Sequence, residues 1–148
     1  MATITPTLTI TANASSAASS AGPISTALSI SATTALTVDA VEAKTLVFTG
    51  AGDEQKLIDG SAQDASQVAG TNGGFIYFKN ATASDLDIYV GIVADDGSAT
   101  DLAASGDAAR VFTLKQNEFA FVPFDYTMDI IVDAEGAATL EYFLFNRG

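Results

Sequence analysis

Apolar and polar residues alternate with a period of two in many short stretches of this chain, and turn-forming residues separate the stretches. This pattern is typical of β-strands, whose successive side chains point to opposite faces of a sheet. About nine or ten stretches show it, and no segment has the longer period of a convincing helix. The sequence therefore predicts an all-β protein, an antiparallel β-sandwich of jelly-roll-like type.

The N-terminal segment has its own form of this pattern. Thr occupies every odd position from Thr3 to Thr11, a small-residue stretch follows, and the alternation then resumes up to Val38. Because β-branched residues favour an extended chain, we predict a β-rich arm or hairpin over residues 1–38 and a sandwich domain over residues 39–148. The apolar residues that these arm strands offer as interface candidates are Ile4, Leu8, Ile10, Leu28 and Ile30.

The large side chains are concentrated downstream of the arm. All nine Phe and four Tyr residues lie between Phe48 and Phe145, so the predicted core falls within residues 44–145, beginning with a short buried strand at Lys44. Two later strands are apolar on both faces, whereas each sheet of a two-layer sandwich buries only one. We expect either a loop or the arm of the same chain, or a neighbouring subunit, to cover the surplus apolar surface. The interface candidates there are Phe119, Phe121, Phe124, Tyr142, Phe143 and Phe145.

Charge is distributed unevenly along the chain. Residues 3–38 carry no charged side chain, although the whole chain has 6 Lys and Arg against 18 Asp and Glu, a net charge of -12. A polyanion such as nucleic acid, or an anionic membrane surface, would be repelled by this field. The N-terminus also lacks the basic and unbroken apolar regions of a signal peptide, so we expect synthesis in the cytoplasm without export by such a signal.

Few residue types suited to catalysis are present. The chain contains no Cys and no His, so a nucleophile would have to be activated by Lys or an N-terminal amine, and no Ser-x-x-Lys motif occurs. A pair of carboxylates could serve a glycosidase, but Asp is common in turns for its local hydrogen bonding. We predict no catalytic residue and no cofactor. The loop aspartates form one candidate calcium site, consisting of Asp95, Asp96, Asp101 and Asp107.

Three segments of the second half of the chain carry a resemblance to a known group of proteins. They read GGFIYFKNATASDLDIYVGI, FTLKQNEFAFVPF with a turn at Gln116-Asn117, and LEYFLF. Together they resemble a module of small virion structural proteins of tailed bacteriophages. The resemblance implies a non-enzymatic virion protein made in the host cytoplasm, a capsid decoration (cement) protein that binds itself and other virion proteins such as the major capsid protein.

Two alternatives to the capsid decoration protein stay open on the sequence. One is a tail or fibre component of the same particle. The other is a carbohydrate-binding β-sandwich module, which would stack sugars on the exposed rings of Tyr77, Tyr89 or Tyr126. A fold of this type does not choose among them, because one sandwich architecture serves many functions.

Overall fold

The computed structural model describes residues 2–4, 7–10, 28–31, 36–59, 73–94, 102, 109–125 and 127–147. Within these ranges the protein is all-β and contains no helix, which confirms the predicted fold class. The strands are β1 (Ala2–Ile4), β2 (Thr7–Ile10), β3 (Leu28–Ser31), β4 (Leu36–Val47), β5 (Gln55–Ile58), β6 (Gly74–Asn80), β7 (Ile88–Ala94), β8 (Arg110–Leu114), β9 (Phe119–Phe124), β10 (Met128–Ala134) and β11 (Thr139–Arg147).

Two antiparallel sheets form the sandwich. The first sheet has the strand order β1-β4-β11-β6-β9, and the second has the order β5-β10-β7-β8. Alternate residues of β6, such as Ile76 and Phe78, point inward and pack in one buried cluster with residues of the second sheet such as Val90 and Val132. The hydrophobic core lies between the two sheets, as the alternation predicts.

Strand β4 differs from its predicted form. The sequence suggested a short buried strand from Lys44, but β4 begins at Leu36 and Val47 is 60% exposed. Its length follows from pairing on two edges, because β1 pairs with its first three residues and β11 pairs with it from Val38 to Val47. The predicted boundary at residue 38 therefore falls inside a strand.

The N-terminal strands form two successive ladders. Ala2 pairs with Val38 at one end of the β1–β4 ladder, and the β2–β3 ladder runs from the Thr7–Ser31 pair to the Ile10–Leu28 pair. Because β1 leads to β2 and β3 leads to β4, both ladders involve the same two chain segments. Only the first ladder is hydrogen-bonded to the rest of a larger sheet in the described part of the chain.

The turn between β8 and β9 connects the two sheets at their edges. Asn117 has a φ of 64°, the left-handed conformation that Asn tolerates better than most residues. The backbone N–H of Asn117 donates to the carbonyl of Asn80 at 3.0 Å, and the N–H of Glu118 donates to the carbonyl of Lys115 at 2.9 Å. The turn predicted at Gln116-Asn117 is thus present and is tied to the end of β6.

A close approach requires glycine in the middle of β7. A Cβ on Gly91 would lie 2.6 Å from Cδ2 of Leu102 and 3.0 Å from the backbone oxygen of Ala109. Leu102 is fully buried, so it has little room to move. We expect Gly91→Ala to lower the free energy of unfolding by about 1–3 kcal/mol through overpacking, measured by urea denaturation.

Gly50→Ala is the matched control for this substitution. A Cβ on Gly50 would meet nothing within 4 Å. We expect the free energy of unfolding of this variant to stay within about 1 kcal/mol of the wild-type value. Equal stability of the two variants would show that the contact between Leu102 and β7 is not tight.

Candidate interaction surface

The outward side of the first sheet carries six aromatic side chains. Because Ile76 and Phe78 of β6 point inward, the residues between and beside them point outward, and β9 and β11 alternate in the same way. We call the outward set the aromatic face; its members are Phe75, Tyr77, Phe119, Phe121, Phe143 and Phe145.

The six rings form one connected network. Strand register places Tyr77 directly between Phe121 of β9 and Phe143 of β11. Five ring contacts with centroid separations of 5.7 to 6.5 Å link the rings in the order Phe119, Tyr77, Phe143, Phe145, Phe121 and Phe75. Separations of this size are those at which aromatic pairs attract one another, so each ring is held by at least one neighbour.

Much of this network is in contact with solvent. Phe119 is 58% exposed, Phe143 40% and Phe121 37%. Scattered exposed apolar residues are ordinary on a protein surface, whereas contiguous ones mark sites of interaction. Val111, on β8 of the second sheet, is also 58% exposed but belongs to no such network.

One ion pair borders the aromatic face. Lys79 Nζ lies 3.9 Å from a carboxylate oxygen of Glu141, and the two side chains are 39% and 45% exposed. Lys79 pairs in register with Glu141 on one side and with Phe119 on the other. Within β6, β9 and residues 139–145 these are the only charged residues, so the aromatic face is electrically neutral as a whole.

The structure separates the predicted aromatic interface candidates into two groups. Phe119, Phe121, Phe143 and Phe145 lie together on the aromatic face. Phe124 and Tyr142 instead lie on the inner side of the first sheet, only 7% and 8% exposed, and belong to the core cluster. The candidates Ile4, Leu8, Ile10, Leu28 and Ile30 lie in β1, β2 and β3, and their side chains are outside the described part of the structure.

Sequence reasoning missed Phe75 and Tyr77 as members of this surface. The stretch GFIYFKN is apolar on both faces in the same manner as the two strands that were singled out. This two-faced apolar pattern could have identified Phe75 and Tyr77 as outward residues. In the structure, they alternate with the buried residues Gly74, Ile76 and Phe78.

The second sheet bears a polar network near the start of β7. Lys115 donates to the Asp87 carboxylate, and this hydrogen bond raises the pKa of Lys115. Asp87 and Glu135 are joined through the backbone, where the Glu135 N–H donates to the Asp87 carbonyl at 3.0 Å. Burial, and then the charges of Glu135 and Asp87, raise the pKa of Tyr89.

Arg110 closes one side of this network. Its guanidinium carbon lies 4.9 Å from the centre of the Tyr89 ring, a cation–π contact. A sugar could stack on this ring face only by displacing Arg110. Of the three Tyr residues considered as sugar platforms, Tyr126 lies outside the described residues, and Tyr77, on the aromatic face, is half-buried like Tyr89.

Two aspartates of β10 are buried. Asp129 and Asp133 are both 0% exposed, as is Ile131 between them. Lys56 Nζ lies 2.7 Å from Asp129, and an oxygen of Asp133 accepts from the N–H of Ala134 at 2.7 Å. Asp129, Ile131 and Asp133 point away from the core and are nevertheless buried, so part of the outer side of the second sheet is covered. The buried Leu102 packs closely against Gly91 of the neighbouring strand β7.

The predicted calcium candidates Asp95, Asp96, Asp101 and Asp107 all lie outside the described residues. Within the described ranges, no group of three or more acidic side chains is placed to hold a metal ion. The described part also contains no helix long and apolar enough to cross a membrane.

Comparisons of the chain with protein-family models, with curated proteins and with solved structures gave no significant match. The site must therefore be interpreted from its own geometry.

Proposed function

We propose that this chain is a non-enzymatic structural protein of a bacteriophage particle, a capsid decoration (cement) protein. It is made in the host cytoplasm and resides in the virion. Its partners are further copies of itself and other virion proteins such as the major capsid protein. Three segments of the second half of the chain support this proposal by their resemblance to virion proteins.

The observation that carries the proposal is the aromatic face. Six aromatic rings in contact with one another form an apolar surface suited to protein contact. Three of them, Phe119, Phe121 and Phe143, are about half exposed. Aromatic residues are enriched at the centres of protein interfaces, because they bury much area with few rotatable bonds. The bordering Lys79 and Glu141 are paired with each other, so the face offers contact area rather than groups for acid–base chemistry.

The charge distribution also favours a protein partner. A net charge of -12 disfavours binding to packaged nucleic acid and keeps the protein soluble. The aromatic face is a neutral patch on this acidic chain, and it is where an acidic or neutral protein surface can approach with little repulsion.

A carbohydrate-binding module is a second candidate, favoured by one observation. Tyr77 lies on the aromatic face, and its ring contacts those of Phe119 and Phe143. Partly exposed aromatic rings can stack against sugars. Binding of the purified protein to a glycan array that is lost in the Tyr77→Ala variant would favour this candidate over the structural role. Failure of the protein to associate with particles would favour it as well.

A tail or fibre component would bind to phage tails instead of heads.

Phe119→Asp tests the structural role in a particle-binding assay. We expect at least 30-fold weaker co-sedimentation with particles, because a carboxylate in the apolar face must be desolvated on binding, at a cost of roughly 2–4 kcal/mol. Val111→Asp is the matched control, since both residues are 58% exposed and both lie on edge strands. Equal binding by the two variants would contradict a role of the aromatic face in attachment.

A further inference from the structure

We propose that the aromatic face binds the same face of a second copy of this chain, in a two-fold symmetric contact between the two first sheets. This inference deepens the proposed role by naming a partner at the face, and it rests on that role in treating the face as a protein-contact surface. Two-fold dimers are the commonest assemblies of identical chains, and in them each surface patch meets itself.

Charge complementarity favours a second copy as the occupant. Two copies each carry a net charge of -12, so most approaches between them are repulsive. The aromatic face differs because it carries one cation, Lys79, and one anion, Glu141, and it can face a copy of itself without net repulsion. Lys79 and Glu141 are register partners on neighbouring strands, so a two-fold axis that runs parallel to the strands between β6 and β11 sets Lys79 of each copy opposite Glu141 of the other.

The size of the face sets the expected strength. The face spans three strands spaced about 4.8 Å apart, and each strand has three outward positions spaced about 6.8 Å apart. These dimensions give an area of about 300 Å² on each copy. The two copies together would bury about 600 Å², which is below the roughly 1,200 Å² of a stable dimer. We therefore expect a dissociation constant in the range of tens to hundreds of micromolar. A contact this weak becomes effective when many copies are displayed side by side on one particle.

The design of the test uses the two border charges of the full-length chain. Glu141→Lys gives the face two positive charges and Lys79→Glu gives it two negative charges, so each variant should repel a copy of itself. A mixture of the two variants should associate, because the two altered faces are complementary. Sedimentation velocity between about 5 and 1,000 μM measures the dissociation constant of each sample, a range chosen to bracket the expected value.

Net charge alone predicts a different result, which makes the test specific. Glu141→Lys changes the net charge from -12 to -10 and would strengthen association if overall repulsion were the controlling factor. Asp85→Lys makes the same change in net charge at an exposed loop position between β6 and β7, outside the set of residues that forms the aromatic face. It is the matched control for the charge variants.

The inference predicts a concentration-dependent dimer for the wild-type chain and a dissociation constant at least five-fold higher for each single charge variant. It also predicts that the mixture associates more strongly than either variant alone, and that Asp85→Lys is no weaker than wild type. A wild-type monomer at 1,000 μM, or equal behaviour of Glu141→Lys and Asp85→Lys, would overturn it. Because the test needs no particle, a monomer that still binds particles would remove this inference and leave the structural role standing.

Discussion

Replacing Asn80 with Asp is expected to lower the free energy of unfolding by about 3–5 kcal/mol, a large share of the stability of a domain of this size. Asn80 is fully buried at the end of β6. Its side-chain N–H groups donate to the carbonyls of Leu86 at 2.8 Å and Leu114 at 3.0 Å. Asp would place a carboxylate oxygen against these two carbonyl oxygens, so that both lose the Asn80 donor and a buried negative charge faces two other acceptors.

The effect is large because Asn80 joins the two sheets. Its side-chain oxygen accepts from the N–H of Thr82 at 3.1 Å, and Leu114 belongs to β8 of the second sheet. One buried amide thus fixes the end of β6, the start of the following loop and the end of β8. Among the described residues, the bond to Leu114 is the side-chain hydrogen bond by which Asn80 reaches the second sheet, and Asp at this position removes it.

Urea denaturation at neutral pH measures this effect. The matched control is Asn117→Asp, the same chemical change at an exposed turn position whose φ of 64° Asp also tolerates. We expect the control to stay within about 0.5 kcal/mol of the wild-type value. A change below 1 kcal/mol for Asn80→Asp would mean that the buried amide network contributes little to the fold.

Removing residues 2–35 is expected to leave residues 36–148 folded but to weaken association with particles, to which the aromatic face still contributes. The core cluster draws on residues from Phe48 to Leu144 together with the partly buried Leu46, all outside the deleted segment. Strand β4 stays complete, and its pairing with β11 from Val38 to Val47 does not depend on β1. Among the described strand pairs, the deletion should therefore remove only the short β1–β4 ladder and the β2–β3 ladder.

The expected weakening of particle binding follows from the composition of the deleted segment. Residues 3–38 carry no charge in a chain of net charge -12, so this segment can pair with a strand of a neighbour without repulsion. Strands added to a partner's sheet gain affinity from main-chain hydrogen bonds.

Circular dichroism and particle co-sedimentation, with the full-length chain as reference, test the deletion. An unfolded truncated chain would show that the segment is needed for the fold. A folded chain that binds particles as strongly as the full-length chain would show that the N-terminal segment contributes nothing to attachment.

The sandwich could be predicted because strand alternation is a local property of the sequence. Ile88 and Val90 of β7, and Ile130 and Val132 of β10, alternate with other residues in the sequence and all four belong to the core cluster between the sheets. The turn at Gln116-Asn117 was predictable for the same reason, since it depends on the conformations of a few adjacent residues.

Other features depend on pairing between distant segments and could not be predicted. A strand such as β9 is apolar on both faces, so its sequence does not show that Phe124 packs inward while Phe121 points outward. The length of β4 is set by its neighbours β1 and β11. Asp129 and Asp133 are charged, and nothing in the local sequence shows that tertiary packing buries both of them.

The measurement that tests the central claim most directly is a mass-spectrometric inventory of purified bacteriophage particles from the source of this sequence. A structural role predicts that this chain is present in intact particles, in a fixed ratio to the major capsid protein, and that it separates with the heads when heads and tails are fractionated. Its recovery with tails would indicate a tail or fibre component instead of a capsid decoration protein. Its absence from purified particles would contradict the proposed function.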